Sequence, residues 1–152
     1  MKREIILSSL EETKILAKTL MPVFQESDGQ PISIQLTGDL GAGKTTLVKE
    51  ILNALGVVKF VNSPTFTLIE SYEVNERNIY HIDLYRVGNI SELEAIGLEE
   101  YLKETNSINF IEWAEIGKDY IGEATLKINL EHDSENSRIC NLKGQIIEKL
   151  KF

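Results

Sequence analysis

The residue types best suited to chemistry in this sequence form a glycine-rich segment in the first third of the chain. The segment reads Gly38-Asp-Leu-Gly-Ala-Gly43-Lys44-Thr45 and matches the pattern G-x-x-x-x-G-K-[ST] in full. Glycines allow successive backbone N–H groups to point at phosphate oxygens, and a helix that follows adds its positive N-terminal end. Lys44 supplies a charge for the β- and γ-phosphates, and the Thr45 hydroxyl is suited to Mg²⁺. The predicted phosphate-binding residues are Gly38, Asp39, Gly41, Ala42, Gly43, Lys44, Thr45 and Thr46.

A magnesium ion at such a loop also needs a carboxylate, held at the end of a neighbouring strand. Two acidic residues follow apolar runs that predict strands: Asp83 follows residues 79–82, and Glu112 follows residues 108–111. Residues 108–111 are the more apolar run, as expected for a central strand. Composition does not choose between the two acids, and each is also compatible with an ordinary surface carboxylate in a turn.

The segments on both sides of the glycine-rich loop have the periodicity that this chemistry requires. Apolar residues alternate over residues 32–36 and predict a strand that ends at the loop. Residues 45–55 carry apolar side chains at helical spacing, and Gly56 follows as a stop. A strand before the loop and a helix after it argue against a chance glycine-rich turn.

Two further helices are predicted outside this unit. Ser8 or Ser9 is a candidate cap for a helix that runs to Met21, because a hydroxyl there accepts from the first turn. Residues 91–103 predict a second helix with a break near Gly97.

The remaining segments predict strands, and with the helices they define the fold class. Polar links at residues 75–77 and 132–136 predict two antiparallel hairpins. We predict a single α/β domain over residues 1–152, a three-layer fold of the P-loop NTPase type with a mixed, partly antiparallel central sheet. The predicted strands besides 32–36 are residues 4–7, 65–74, 78–84, 108–111, 124–131 and 137–143.

The bulk composition is that of a globular protein and disfavours several classes of function. The chain has 152 residues, and its 24 acidic and 16 basic residues give a net charge of −8. An acidic protein is a poor candidate for binding nucleic acid by itself, because phosphate contacts dominate that affinity. A single cysteine, Cys140, excludes an internal disulfide. We expect a cytoplasmic protein, since no long apolar run for a membrane span and no secretory signal pattern appears.

Four segments in order along the chain resemble the TsaE (YjeE) family of ATPases. They are the loop at residues 38–46, Ser63-Pro-Thr-Phe-Thr-Leu68, His81-Ile-Asp-Leu-Tyr-Arg86 and Ile111-Glu-Trp-Ala-Glu115. The loop alone does not identify a family, whereas the other three segments in this order are specific. The resemblance implies that the chain uses ATP and Mg²⁺ and is required for the threonylcarbamoyladenosine modification of tRNA next to the anticodon.

The resemblance also implies roles for individual residues. Thr45 and Glu112 would be the Mg²⁺ ligands. Asp83, Lys44 and Thr65 would be catalytic, with Asp83 near the γ-phosphate or its attacking water and Thr65 in a segment similar to a GTPase switch. The catalytic base stays open between Asp83 and a chain of waters. Beyond the loop, the residues implied to lie near the nucleotide are Thr13, Trp113, Glu115 and Arg138.

Some of these residues have plain structural interpretations as well. Thr65 follows Pro64 and is compatible with the start of a strand, and Trp113 is compatible with half-buried packing. His81 is more typical of a core position than of a catalyst, and Arg138 of a structural or solvent-facing one.

The resemblance implies partners similar to TsaD and TsaB, with threonylcarbamoyl-adenylate made by a separate enzyme. In that picture the chain does not transfer the threonylcarbamoyl group, contacts tRNA indirectly, and hydrolyses ATP weakly unless its partners are present. No membrane partner is expected.

Three other functions are weighed against this one. A small P-loop kinase needs clustered positive charge over the transferred group, which four scattered arginines do not provide. A GTPase is disfavoured because the guanine-reading Asn-Lys-x-Asp segment is missing from the sequence. A module that binds ATP without hydrolysing it stays open, since Asp83 and Glu112 make hydrolysis plausible without proving it.

Overall fold

The structure is a computed structural model that describes residues 1–25, 28–58, 61, 64 and 67–152. Within these ranges it contains helices, strands and two 3-10 helices, at Ala114–Gly117 and Gln145–Lys149. The α-helices are α1 (Leu10–Thr19), α2 (Met21–Gln25), α3 (Lys44–Leu55), α4 (Ile90–Ala95) and α5 (Leu98–Lys103). The strands are β1 (Lys2–Leu7), β2 (Ile32–Thr37), β3 (Ile69–Val74), β4 (Arg77–Asp83), β5 (Ile108–Glu112), β6 (Leu126–Ser134) and β7 (Ser137–Lys143).

The strands form one seven-stranded sheet in the order β1-β7-β6-β2-β5-β4-β3. The four central strands β6, β2, β5 and β4 are parallel, whereas β3, β7 and β1 each pair antiparallel with their neighbours. The predicted mixed, partly antiparallel sheet is therefore confirmed. Both predicted hairpins, β3–β4 and β6–β7, are present.

The parallel centre gathers three strand ends at one edge of the sheet. Glu112 on β5 is in register with Leu36 on β2 and with Asp83 on β4. All five residues of β5 are buried, as the apolar character of this segment predicts. The glycine-rich loop follows β2 directly, so the loop and both acidic residues meet at this edge.

One face of the sheet is covered by α1, α2 and α3. The buried side of α3 consists of Leu47, Val48, Ile51 and Leu52, each of which is fully buried. Burial of each such side chain contributes roughly 1.5–3 kcal/mol, so the core fixes the helix that begins at the loop. The helix ends at Gly56 as predicted, with a φ of 98° and a backbone N–H directed at the last turn.

The other face is covered by α4 and α5 over strands β4 and β5 only. Leu93 and Leu98 pack there with Ile82, Leu84 and Ile111 in a second core. Beyond β2, the same face carries side chains that are exposed or half-buried and mainly polar, on β6, β7 and β1. The three-layer arrangement is thus complete over one half of the sheet.

Several predicted boundaries differ from the structure. Strand β6 runs to Ser134, into the turn predicted at residues 132–136, because His132 and Ser134 still pair with β7. The first helix ends at Thr19, and α2 starts at Met21, because Pro22 has no N–H to continue the helical hydrogen bonds. Strand β3 begins at Ile69, and residues 65 and 66 of the longer predicted strand lie outside the described residues.

Of the two candidate caps of α1, Ser9 is the one used, since its hydroxyl accepts from the Glu12 N–H. No helix in the described ranges is long and apolar enough to cross a membrane.

Candidate functional site

The glycine-rich loop needs glycine for steric as well as conformational reasons. Gly38 has a φ of 135°, and a Cβ there would lie 2.2 Å from the Leu130 carbonyl oxygen on β6. Gly43, with a φ of 102°, turns the chain directly into α3 at Lys44. Both positions lie in the left-handed region that other residues adopt rarely. The loop can therefore curl tightly against the sheet edge and present its backbone outward.

Lys44 is held inside this loop. Its ammonium donates to the Gly38 carbonyl and, at 2.9 Å, to the Asp39 carbonyl, and it lies 4.3 Å from the centre of the Trp113 ring. Burial lowers the pKa of Lys44, and the carboxylates of Glu112, Glu115, Asp83 and Asp39 oppose that shift. The negative charge around the site therefore favours the charged lysine that phosphate binding requires.

Glu112 is the centre of a buried hydrogen-bonded chain. Its Oε1 accepts from the Thr45 hydroxyl at 2.7 Å, and its Oε2 lies 2.5 Å from His81 Nε2. His81 and Glu112 are 0% and 2% exposed. A carboxylate only accepts, so His81 carries its proton on Nε2, and its Nδ1 has no hydrogen-bond partner among the described residues.

This role of His81 was not predicted from the sequence. A core position was expected for His81, which its burial agrees with, but not a contact with Glu112. The available signal was the two-residue spacing of His81 and Asp83 on one strand, which puts both side chains on the same face. The register that brings Glu112 to that face joins residues 31 positions apart and was not evident from the sequence.

Asp83 is the second carboxylate at this edge. It is buried, and its Oδ1 accepts from the Tyr85 N–H at 2.9 Å. Asp83, Glu112, Lys44 and Thr45 all line one pocket of about 220 Å³ beside the loop. Both acids that the sequence left open are therefore in the same pocket, and Glu112 is the one that contacts Thr45.

Two aromatic rings form a wall of this pocket. Tyr85 and Trp113 stack at a tilt, with their centroids 4.9 Å apart. Trp113 follows Glu112 directly and has a φ of +55°, a conformation that costs a non-glycine residue roughly 1 kcal/mol or more. This backbone turn places the ring over Lys44 instead of leaving it in the sheet.

A second pocket, of about 350 Å³, lies on the other side of the loop. It shares Gly41, Ala42, Gly43 and Thr46 with the first pocket. Thr13 on α1 and Arg138 on β7 line it, and Arg138 is anchored by donating to the Ser137 carbonyl at 3.0 Å. The structure thus brings these two widely separated residues together next to the loop.

The structure does not place two other predicted residues, Glu115 and Thr65, in either pocket. Glu115 is exposed and lines neither of these pockets, although it is close enough to oppose the lowering of the Lys44 pKa. Thr65 lies outside the described residues, as does most of the segment around it.

The donor set suits a nucleotide-bound magnesium ion better than a metal held by protein alone. In the part of the chain that the structure describes, no group of three or more His, Cys, Asp or Glu side chains could hold a metal ion. One hydroxyl and one carboxylate do converge, at Thr45 and Glu112. Mg²⁺ takes oxygen ligands and completes its shell with phosphates and water, so these residues fit it.

A family model and curated relatives match most of this chain. Residues 7–140 match the family model described as "Threonylcarbamoyl adenosine biosynthesis protein TsaE". The tRNA threonylcarbamoyladenosine biosynthesis protein TsaE of Haemophilus influenzae is 41% identical over 145 residues, which cover 92% of this chain and 89% of that relative. The Bacillus subtilis protein of the same name is 36% identical over 128 residues, covering 84% and 77%.

A solved structure agrees as well. The crystal structure of YdiB from Bacillus subtilis matches with a TM-score of 0.74 at 27% identity, covering 93% of this chain and 84% of that one. The chain therefore belongs to the TsaE family of threonylcarbamoyl adenosine biosynthesis proteins.

Proposed function

We propose that this protein is a Mg²⁺-dependent ATPase that acts in the threonylcarbamoyladenosine modification of tRNA. The names of its relatives supply the pathway. The observation that carries the ATPase part is the 2.7 Å contact between Thr45 and Glu112 at the start of α3, beside a buried Lys44. A hydroxyl, a carboxylate and an ammonium in this arrangement are the groups that a P-loop uses for Mg²⁺ and the terminal phosphates.

In the proposed mechanism, Thr45 and Glu112 would hold Mg²⁺. When bound, Mg²⁺ would neutralise charge on the β- and γ-phosphate oxygens. His81 fixes the Glu112 carboxylate from behind, so that Oε1 stays directed at Thr45.

Lys44 and the loop backbone bind the phosphates. Lys44 exchanges its contacts with the Gly38 and Asp39 carbonyls for phosphate oxygens, which carry more negative charge. The N–H groups at the start of α3 add donors and the positive end of the helix.

Asp83 is proposed to hold the attacking water. The Tyr85 N–H anchors its carboxylate in the pocket that Lys44 and Thr45 also line. The Tyr85 and Trp113 rings limit solvent access on that side. The pocket with Thr13 and Arg138 is proposed to receive the nucleoside.

The wider role includes partners similar to TsaD and TsaB, and the chain does not itself transfer the threonylcarbamoyl group.

A small P-loop kinase is the alternative function. It is disfavoured because Lys44 is the one cation among the described residues that line the phosphate pocket, whereas phosphoryl transfer to an acceptor needs several cations over the transferring group.

Phosphate release from ATP tests the proposal, with the purified chain alone and with TsaD- and TsaB-like partners. We expect slow turnover alone, a clear change with partners, and loss of turnover in Glu112→Ala. Glu123→Ala, which removes an exposed carboxylate, should match the wild type. Fast turnover that ignores the partners would contradict the pathway role. A phosphorylated acceptor in a screen of nucleosides and small alcohols would instead support the kinase.

A further inference from the structure

The half of the sheet that α4 and α5 leave uncovered carries a row of lysines. Lys127 on β6 is in register with Lys143 on β7, and Lys143 is in register with Lys2 on β1. Directly opposite residues in paired strands point to the same face. The three lysines therefore project from the same face of three neighbouring strands at matching register positions, and we call them the lysine row.

The lysine row lines a concave groove of about 480 Å³ on this face. Lys118 also lines the groove, as does Gln35 on β2, which is in register with Lys127. Glu115 is the one acidic side chain among the lining residues. Four lysines against one glutamate make the groove locally positive in a chain whose net charge is −8.

Like charges placed directly opposite each other on a sheet are destabilising. None of Lys2, Lys127 or Lys143 forms an ion pair with another described residue. The repulsion within the row is therefore not offset by an ion pair in the part of the chain that is described. A bound group of negative charge would remove this repulsion, so the arrangement favours an anionic partner.

Three of the neutral polar side chains that line the groove already donate hydrogen bonds within the chain. Gln35 donates to the Gly122 carbonyl at 3.0 Å, Thr37 to Asn129 Oδ1 at 2.8 Å, and Asn129 to the Glu131 carboxylate. Recognition here must therefore depend mainly on the ammonium groups.

A short acidic protein segment fits this pattern better than nucleic acid does. Proteins that bind single-stranded nucleic acid add aromatic stacking to their positive charge, and none of the described residues that line the groove is aromatic. A polyphosphate chain longer than the lysine row would also meet Glu115, which lines the groove, or Glu4, which lies two residues from Lys2 on the same face of β1.

We propose that the lysine row binds an acidic helix of a partner protein, which lies across strands β6, β7 and β1. Side chains four residues apart on a helix have Cβ atoms roughly 5–6 Å apart. Neighbouring strands are about 4.7–4.9 Å apart, so acidic residues at i, i+4 and i+8 follow the row, and the flexible lysines take up the difference. The helix would also complete the missing layer on this face. The proposal does not depend on ATP hydrolysis.

The test uses the full chain and a fluorescein-labelled helical peptide with glutamates at i, i+4 and i+8. A second peptide of the same composition has its glutamates spread around the helix. Fluorescence anisotropy at low salt should show tighter binding of the first peptide, by about tenfold. Lys143→Glu should weaken that binding by about tenfold or more. Lys18→Glu, on α1 at the opposite face, makes the same charge change and should leave the binding within about twofold.

Thermal unfolding shows whether Lys143→Glu is folded, so that a loss of peptide binding is not mistaken for misfolding. Lys143→Glu places a carboxylate between two lysines, so its melting temperature should rise, on the order of 2 °C. Equal binding of the two peptides, or undiminished binding by Lys143→Glu, would overturn the proposal. It would also be overturned if tRNA bound more tightly than the peptide and lost that binding in Lys143→Glu, since the occupant would then be RNA.

Discussion

Glu112 has contacts on both of its carboxylate oxygens, with Thr45 on one side and His81 on the other. A carboxylate held in this way would lose little freedom on binding a metal, so under the proposed function the His81 contact would contribute to metal affinity without touching the ion. Such supporting contacts typically change metal affinity by about 10–100-fold.

Replacing His81 tests this positioning role. His81→Ala should weaken the Mg²⁺ dependence of ATP binding by about 10–100-fold, and His81→Gln, which retains an N–H donor, should restore part of it. Calorimetric titration of Mg²⁺ in the presence of a non-hydrolysable ATP analogue gives the affinity. Urea unfolding without Mg²⁺ gives the stability, which should fall by roughly 1–3 kcal/mol in His81→Ala. A loss of stability with unchanged Mg²⁺ affinity would make His81 merely structural.

Alanine substitutions at two loop glycines distinguish the free-energy cost of a steric clash from the cost of a positive φ. Gly38→Ala meets the Leu130 carbonyl oxygen at 2.2 Å, whereas a Cβ at Gly41, which also has a positive φ, meets nothing within 4 Å. Gly41→Ala should therefore cost about 1–2 kcal/mol of unfolding free energy, and Gly38→Ala on the order of 3 kcal/mol or more because the backbone must shift as well. Urea unfolding of both variants measures the difference. Equal costs would show that the loop does not press against β6 as described.

Among the contacts between elements, a hydrogen bond from the Tyr80 phenol to the Glu104 carboxylate joins β4 to the end of α5. Tyr80 on β4 donates to Glu104, which follows α5, and its ring packs edge-on against Tyr101. Burial, followed by the Glu104 hydrogen bond and charge, raises the pKa of Tyr80 from 10.0 to about 12.

This shift predicts a pH dependence of stability. The folded-state pKa is higher than the unfolded value, so the Tyr80 contribution is complete below about pH 10 and is lost as the pH rises toward 12. Melting temperatures from pH 9 to 12 should therefore fall more steeply for the wild type than for Tyr80→Phe. Parallel curves for the two proteins would argue against the raised pKa.

The elements near the loop were predictable because their signals are local. The strand before Gly38, the helix that ends at Gly56 and the break at Gly97 each follow from a few neighbouring residues. The division of the first helix at Pro22 was missed, since Leu20 and Met21 continue its apolar pattern. The 3-10 helix at Gln145–Lys149 has no comparable sequence signal.

In the whole molecule, the order of the strands determines which distant residues meet, and this order was not predictable from the sequence. Thr45 and Glu112 are 67 positions apart and meet because β2 and β5 are parallel neighbours. The lysine row exists because β1 pairs with β7, a pairing that no local pattern indicates. Most residues of the site could be predicted from the sequence. The contacts among them, and the lysine row, depend on the strand order and could not be predicted.

The same order explains the uneven distribution of charge. The pocket beside the glycine-rich loop contains Asp83 and Glu112 at the ends of parallel strands, whereas the lysine row lies on β6, β7 and β1. In this acidic chain the groove at the lysine row is the surface that we propose for an acidic partner. That residues 1–152 form a single domain stays a prediction, supported by the pairing of β1 with β7 across the length of the chain.

Calorimetric titration of a non-hydrolysable ATP analogue, with and without Mg²⁺, into the wild type, Glu112→Gln and the exposed control Glu123→Gln tests the proposed metal site directly. We expect Mg²⁺ to strengthen binding to the wild type and to Glu123→Gln. In Glu112→Gln the effect of Mg²⁺ should shrink by at least about tenfold. Equal Mg²⁺ dependence in all three proteins would contradict the central claim that Thr45 and Glu112 hold the metal of a bound nucleotide.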